Sequence, residues 1–369
     1  MSQSPSALIS QLGVSIWLDD LSKDRLTSGS LQGLIDDHHV VGVTSNPTIF
    51  AGAVSGSDSY TEDLQALARS GASAEEAVFE VMIRDIQAAC DLLHPVFVAS
   101  SGQDGRVSLE VSPLLANDTA GTSAQALDLW DRVDRQNLMI KIPATTAGLP
   151  AITEVIGRGV SVNVTLIFSV ERYAEVIDAY FAGIEAAKER GIDISTIRSV
   201  ASFFVSRVDS AVDQLLDAQG SEAARALRSL AAIANARLAY ELFTSRHDGH
   251  RARALAEAGM HPQRPLWAST GVKDPSLPGA YYVTELAVAQ TVNTMPEKTL
   301  EALESEGVVE GDRVSGTYEA SREALSQIEA LGISLAQVTD QLEAEGVEKF
   351  VQSWRELLET VDNAMGLSG

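Results

Sequence analysis

Eight short apolar runs, each followed by a segment of helical length and pattern, constrain this chain more than anything else in it. They read as strands at residues 14–19, 40–45, 105–111, 137–143, 160–165, 197–202 and 265–270, with an eighth and weakest somewhere within 289–294. Strands that alternate with helices pair in parallel through right-handed crossovers. Eight such units close into a TIM (β/α)8 barrel, an α/β fold whose usual size leaves part of a 369-residue chain over. The surplus divides into a helical insertion after strand 2, between about 50 and 101, and a helical C-terminal extension of three or four amphipathic helices, about 296–369. No Pro/Gly/Ser-rich linker separates these parts, so a single domain is expected, with the barrel at about 14–295. An open doubly wound sheet would be the alternative. Its dinucleotide fingerprint is missing, because Gly157-Arg158-Gly159-Val160 lacks the third glycine and precedes a strand.

Two helix starts carry capping signatures. Ser73-Ala74-Glu75-Glu76 opens a helix running to about 93, and Thr122-Ser123-Ala124-Gln125 caps the helix that leads to the strand at 137–143. His247-Asp248-Gly249-His250 holds two histidines but no further ligand, which points to a solvated loop and no metal site. His38 and His39 are expected at the surface. The acidic faces of the tail helices are read as solvated.

Charge narrows the partners. The formal net charge of −24 repels nucleic acid and anionic membrane, so neither is an expected partner. An anionic ligand would need local cations to hold it against that field. No apolar run reaches membrane-spanning length, and Met1-Ser2-Gln3-Ser4-Pro5 does not begin a signal peptide. The single cysteine, Cys90, allows no internal disulfide and falls in an apolar helical pattern, as a buried thiol in a reducing cytoplasm would. Monomer and homodimer remain open.

Chemistry concentrates on Asn137-Leu138-Met139-Ile140-Lys141-Ile142-Pro143, an apolar strand interrupted by one lysine. A lysine there either snorkels outward along the sheet or serves as a reactive amine, since burial favours the neutral form that attacks carbonyls. The other strand ends favour the second reading. Polar residues collect at them: Asp19, Asn46, Glu110, Lys141, Asn163 with Thr165, Ser202 and Ser269. Alternate strand residues share a face. Asp19 therefore lies with Trp17, Glu110 with Ser108, Lys141 with Met139 and Thr165 with Asn163, while Leu18, Leu109, Ile140, Ile142 and Val164 turn toward the helices. Burying so many polar groups is costly without a function. An amine with two carboxylates, and no strand-end His or Cys, suits imine chemistry and not a metal; no cofactor is needed, because the protonated imine is the electron sink.

These residues also carry a resemblance. Thr44-Ser45-Asn46-Pro47-Thr48-Ile49-Phe50 resembles the Thr-x-Asn-Pro signature of transaldolases, and Leu138 to Pro143 with Thr145-Thr146-Ala147-Gly148 resembles their Schiff-base segment. Ser108-Leu109-Glu110-Val111, Asn163-Val164-Thr165-Leu166-Ile167-Phe168-Ser169 and Ser202-Phe203-Phe204-Val205-Ser206-Arg207-Val208-Asp209 are similar to three more family motifs. The likeness is to the longer, actinobacterial kind and covers residues from about 14 to 294. It implies that Lys141 forms the Schiff base, that Asp19 is the acid/base for carbon–carbon cleavage, and that Glu110 and Thr165 hold the water of imine formation and hydrolysis. It further implies that Asn46, Asn163, Ser202, Phe204 and Ser269 bind substrate and that Arg207 binds its phosphate. The implied reaction moves dihydroxyacetone from sedoheptulose 7-phosphate to glyceraldehyde 3-phosphate in the non-oxidative pentose phosphate pathway. A fructose 6-phosphate aldolase and a non-catalytic barrel scaffold are the rival readings.

Plainer roles stand beside these. Asp19 could cap a helix, with Asp20 as the acid instead; Glu110 could pair with a barrel arginine; Arg207 could pair with Asp209 or a glutamate; Asn46 could be only a turn residue before Pro47.

Overall fold

The computed structural model describes residues 3–366. Its centre is a closed barrel of eight parallel strands in sequence order: β1 Val14–Leu18, β2 Val40–Val43, β3 Arg106–Glu110, β4 Leu138–Pro143, β5 Val162–Ile167, β6 Ser199–Phe204, β7 Arg264–Ala268 and β8 Thr291–Met295. β8 pairs with β1 to close the ring. This is the (β/α)8 architecture expected from the strand–helix alternation. Apart from Val41 every strand residue is buried, one face against the helices and the other inside the barrel. The interior is tight at Gly42, where a Cβ would stand 2.6 Å from the Trp17 indole. Gly42 is there because Trp17, its neighbour across the β1–β2 register, fills the space.

Several boundaries differ from the sequence reading for physical reasons. β8 runs to Met295, past the expected 289–294. β7 ends at Ala268, before Ser269 and Thr270, because Ser269 takes a left-handed backbone, φ 55°. The helix after β3 spans Thr119–Val133 and is capped by Asp118, whose Oδ1 accepts from the Gly121 N–H at 3.0 Å. Thr122 is therefore inside the helix, and Gln125 instead accepts the Ser112 N–H at 2.6 Å. The Ser73 capping box forms as expected, yet its helix, Ala74–Ala99, continues through Pro95 beyond the expected end near 93. Cys90 is fully buried on it.

His247 is not in a solvated loop. It ends the Ala231–His247 helix, with Nδ1–H donating to the Phe243 carbonyl (2.9 Å) and Nε2 accepting from the Gln263 N–H (3.3 Å). Its ring lies 4.6 Å from that of Phe243 and 5.3 Å from that of Phe181. Burial pushes its pKa down from 6.5 to about 4. Between those values the unfolded chain takes up a proton that the folded one refuses, so stability falls as pH drops from about 6.5 toward 4. Each unit of depression corresponds to about 1.4 kcal/mol. His247→Gln is expected to flatten the dependence of Tm on pH across this window; an unchanged slope would assign the proton uptake to another group.

The C-terminal extension supplies Glu297–Glu306, Tyr318–Ala330 and the 31-residue helix Leu335–Met365. The last one is amphipathic as expected: Asp340, Glu345, Glu348, Glu356 and Glu359 on its acidic face are exposed, and the opposite face is buried. Val338, Leu342, Gly346, Phe350, Trp354, Leu357, Val361 and Met365 recur every three or four residues and are buried. This stripe packs on the insertion helices Pro47–Ser55, Thr61–Arg69 and Ala74–Ala99, and Trp354 meets Phe79 at 5.2 Å. At Gly346 the helix comes close to the C-terminal end of β5, where an added Cβ would be 3.1 Å from Leu166. The helix thus lies at the end of the barrel where the strands carry their polar residues. Among the described residues no helix is long and apolar enough to cross a membrane.

Candidate active site at the C-terminal end of the barrel

Lys141 projects from β4 and is 5% exposed. Its Nζ donates to the Ser45 carbonyl at 3.1 Å and lies 3.3 Å from Glu110 Oε2, on the register-matched residue of β3. Glu110 is itself 4% exposed; burial pushes its carboxyl above the usual range, against the opposing pull of Lys141. No barrel arginine pairs with it among the described residues, so its partner is the amine. Lys141 is also not snorkelling: the Phe350 ring stands 6.0 Å from its Nζ.

A pocket of about 290 Å³ opens above the amine. Asp19, Asn46, Lys141, Thr165, Ser202, Phe204, Arg207 and Ser269 all reach its wall. Glu110 and Asn163 do not; both are buried beneath it. Asn163 donates from Nδ2 to Ser108 Oγ (3.0 Å) and accepts the Ser202 hydroxyl at Oδ1 (2.7 Å), which holds a wall residue in place. The Thr165 hydroxyl is buried without a protein hydrogen-bond partner.

Asp19 lies one residue past β1. Its Oδ1 accepts the Thr44 hydroxyl at 2.9 Å, within a chain that continues to Thr294 at 2.8 Å. Burial raises its pKa, while Lys141 and the Thr44 hydrogen bond oppose the rise. Asp20 takes a different path: its carboxylate pairs with Arg25, which also binds Glu297. Of the two acids, Asp19 lines the pocket and Asp20 does not. Asn46 caps the Pro47–Ser55 helix by accepting the Ile49 N–H at 3.0 Å, and it also borders the pocket. Ser269 would face outward if β7 continued, since Trp267 packs against Phe203 toward the helices. Its left-handed backbone breaks the alternation and brings it to the wall, bonded to Ser206 Oγ at 3.0 Å.

The cations of the pocket are Lys141, Arg207, Lys273 and Lys349. Arg207 does not pair with Asp209, whose carboxylate accepts the Ala232 N–H (2.7 Å) and the Tyr282 hydroxyl (2.9 Å). It lies instead over the Phe204 ring at 5.2 Å, and burial lowers its pKa. Burial likewise lowers that of Lys273, with Arg207 and Lys349 adding to the effect. Sequence reading missed Lys273, Lys349 and Phe350. The first could have been found from its place in Ser269-Thr270-Gly271-Val272-Lys273, just after β7. The other two carry no local signal, because only the packing of the last helix brings them here.

A buried amine against a carboxyl, a second carboxyl on the pocket wall and a group of cations together suit covalent chemistry on an anionic carbonyl compound. The sequence model of the Transaldolase/Fructose-6-phosphate aldolase family matches residues 16–361. The chain belongs to that family. Curated relatives include the transaldolase of Thermobifida fusca, 56% identical over 97% of each chain, and that of Kocuria rhizophila, 56% identical over 98% of each. The transaldolase of Renibacterium salmoninarum is 55% identical over 97% of this chain and 96% of its own. Membership and full-length similarity make this chain an enzyme of the transaldolase type, whose substrates in this family are sugar phosphates. The match extends to residue 361, so most of the last helix falls inside the matched range.

Proposed function

We propose that this enzyme transfers a dihydroxyacetone unit from sedoheptulose 7-phosphate to glyceraldehyde 3-phosphate, releasing erythrose 4-phosphate and forming fructose 6-phosphate, in the non-oxidative pentose phosphate pathway of the cytoplasm. The observation that carries the proposal is the buried Lys141 amine, 3.3 Å from Glu110 and open to a pocket with Asp19 on its wall and Arg207, Lys273 and Lys349 around it. We further propose that the barrel, the insertion and the tail act as one domain, since all three meet at this pocket.

The residues divide the work as follows. Lys141 Nζ attacks C2 of the donor ketose. Glu110 passes a proton to the carbinolamine hydroxyl, which leaves as water, with the unpartnered Thr165 hydroxyl positioned to hold it. Asp19 removes the proton from the C4 hydroxyl. The C3–C4 bond then breaks, its electron pair enters the protonated imine, and the aldose phosphate departs. The reverse sequence on glyceraldehyde 3-phosphate forms the new ketose, and water taken up beside Glu110 frees the lysine. Asn46, Ser202 and Ser269 hold the hydroxyls, Asn163 supports Ser202, and Arg207 over Phe204 binds phosphate.

A fructose 6-phosphate aldolase would use the same imine but release free dihydroxyacetone. Incubation with fructose 6-phosphate alone separates the two: little product should form until erythrose 4-phosphate is added as acceptor. Steady release of dihydroxyacetone and glyceraldehyde 3-phosphate without an acceptor would reject the transferase assignment.

A further inference from the structure

We infer that Lys349, carried on the last helix, is a phosphate-binding specificity residue, and that this helix is consequently part of the substrate site. The inference rests on the proposed sugar-phosphate reading and adds a residue from outside the barrel to it.

Position comes first. Phe350 is buried 6.0 Å from the Lys141 amine, which fixes the rotation and height of the helix over the pocket. Ser353 Oγ bonds Thr48 Oγ1 at 2.8 Å, one turn further on, and Arg172 Nε donates to Glu343 at 3.1 Å before it. Between these ties, Gly346 seats the helix against Leu166. Lys349 is thereby held at the pocket rim, on an exposed position of the helix.

Charge comes second. Glu345, one turn earlier, is the natural i,i+4 partner for Lys349. Its carboxylate instead accepts from Gln341 Nε2 at 2.6 Å, and no ion pair joins it to Lys349 among the described residues. Arg207 and Lys273 also have no carboxylate within ion-pair distance among those residues. Arg207 feels the carboxylates of Asp19 and Glu345 without forming an ion pair with either, while Arg207 and Lys349 both disfavour the charge on Lys273. Three adjacent cations with no ion pair among the described residues repel one another at a cost that an anion would relieve.

Reach comes third. The two ketose donors of the reaction carry phosphate on C6 or C7, so the site must hold that group at two distances from the imine. Arg207 is fixed over Phe204, whereas Lys273 and Lys349 are point charges on flexible four-carbon stems that can follow the phosphate.

The test compares Lys349→Gln, Lys349→Arg and Arg207→Ala in the full-length enzyme. Lys349→Gln is expected to raise KM for fructose 6-phosphate and sedoheptulose 7-phosphate by roughly 5- to 10-fold, and Ki for inorganic phosphate in parallel, as loss of one charge-assisted contact at a partly solvated site should. Turnover of unphosphorylated fructose should not change, and Lys349→Arg should recover most of the KM. A phosphate-selective KM increase in Arg207→Ala but not in Lys349→Gln overturns the inference and leaves the sugar-phosphate reading intact. If neither variant discriminates between phosphorylated and free donors, that reading fails as well. An equal loss of kcat with every donor in Lys349→Gln would mean that the residue only seats the helix.

Discussion

Lys141→Ala is expected to lose turnover by more than about 10⁴-fold and to yield no adduct when fructose 6-phosphate and borohydride are added. The loss is large because covalent attachment is the step on which all the others depend, and groups acting as a unit fall together. Lys141→Arg should be equally inactive, since a guanidinium remains protonated and is no nucleophile. The two variants differ in stability. Alanine leaves Glu110 buried with no cation beside it, and breaking a buried pair from one side costs about 3–5 kcal/mol. Arginine keeps a cation near Glu110, so its Tm should lie closer to the parent value. Mass spectrometry of the trapped parent enzyme gives the decisive measurement. A stable adduct on any other lysine, Lys273 and Lys349 being the other lysines of the pocket, would refute the assignment of the nucleophile.

The barrel was legible because most of its strands keep apolar residues on the face toward the helices, Val107 with Leu109 in β3 and Ile140 with Ile142 in β4 among them, each run being followed by a helical segment. β8 was not, and its residues say why. Thr291, Asn293 and Thr294 are polar, yet each is satisfied locally, by the Val288 carbonyl, by the Thr270 hydroxyl and by the Thr44 hydroxyl. Periodicity sees the polarity but not the partners. The acids and Lys141 could be placed by alternation alone, since β1, β3, β4 and β5 stay regular up to those positions. Ser269 could not be placed that way, because one left-handed residue reverses the alternation. The tail helix shows another limit. Its 3.6-residue stripe announces a buried face, but nothing in the stripe says that the surface it covers includes Lys141. His247 is a similar case: its caps come from Phe243 and from Gln263, sixteen residues on.

Asp19 and Glu110 are expected to fail at different steps, and the trapped mass distinguishes them. Burial pushes both carboxyls above their usual range, the direction that favours holding a proton to donate, and Lys141 opposes the rise in each. Glu110 touches the amine, while Asp19 stands on the pocket wall beside Thr44. Asp19→Ala should therefore still form the imine but be unable to take the C4 hydroxyl proton, with a fall in kcat of about 10²–10⁴-fold. Borohydride would then fix the whole donor sugar phosphate to Lys141. Glu110→Gln should slow imine formation and hydrolysis together, leaving cleavage less affected once the imine exists. Pre-steady-state quench would show slow accumulation of adduct, and a three-carbon unit that persists after the aldose has gone. If Glu110 serves only as the structural partner of Lys141, the same substitution would lower Tm and leave single-turnover rates nearly intact. A three-carbon adduct building up at the parent rate in Asp19→Ala would move the cleavage step to another group. Asp20 is poorly placed to take it over, because the pair it forms with Arg25 holds its carboxylate away from the amine.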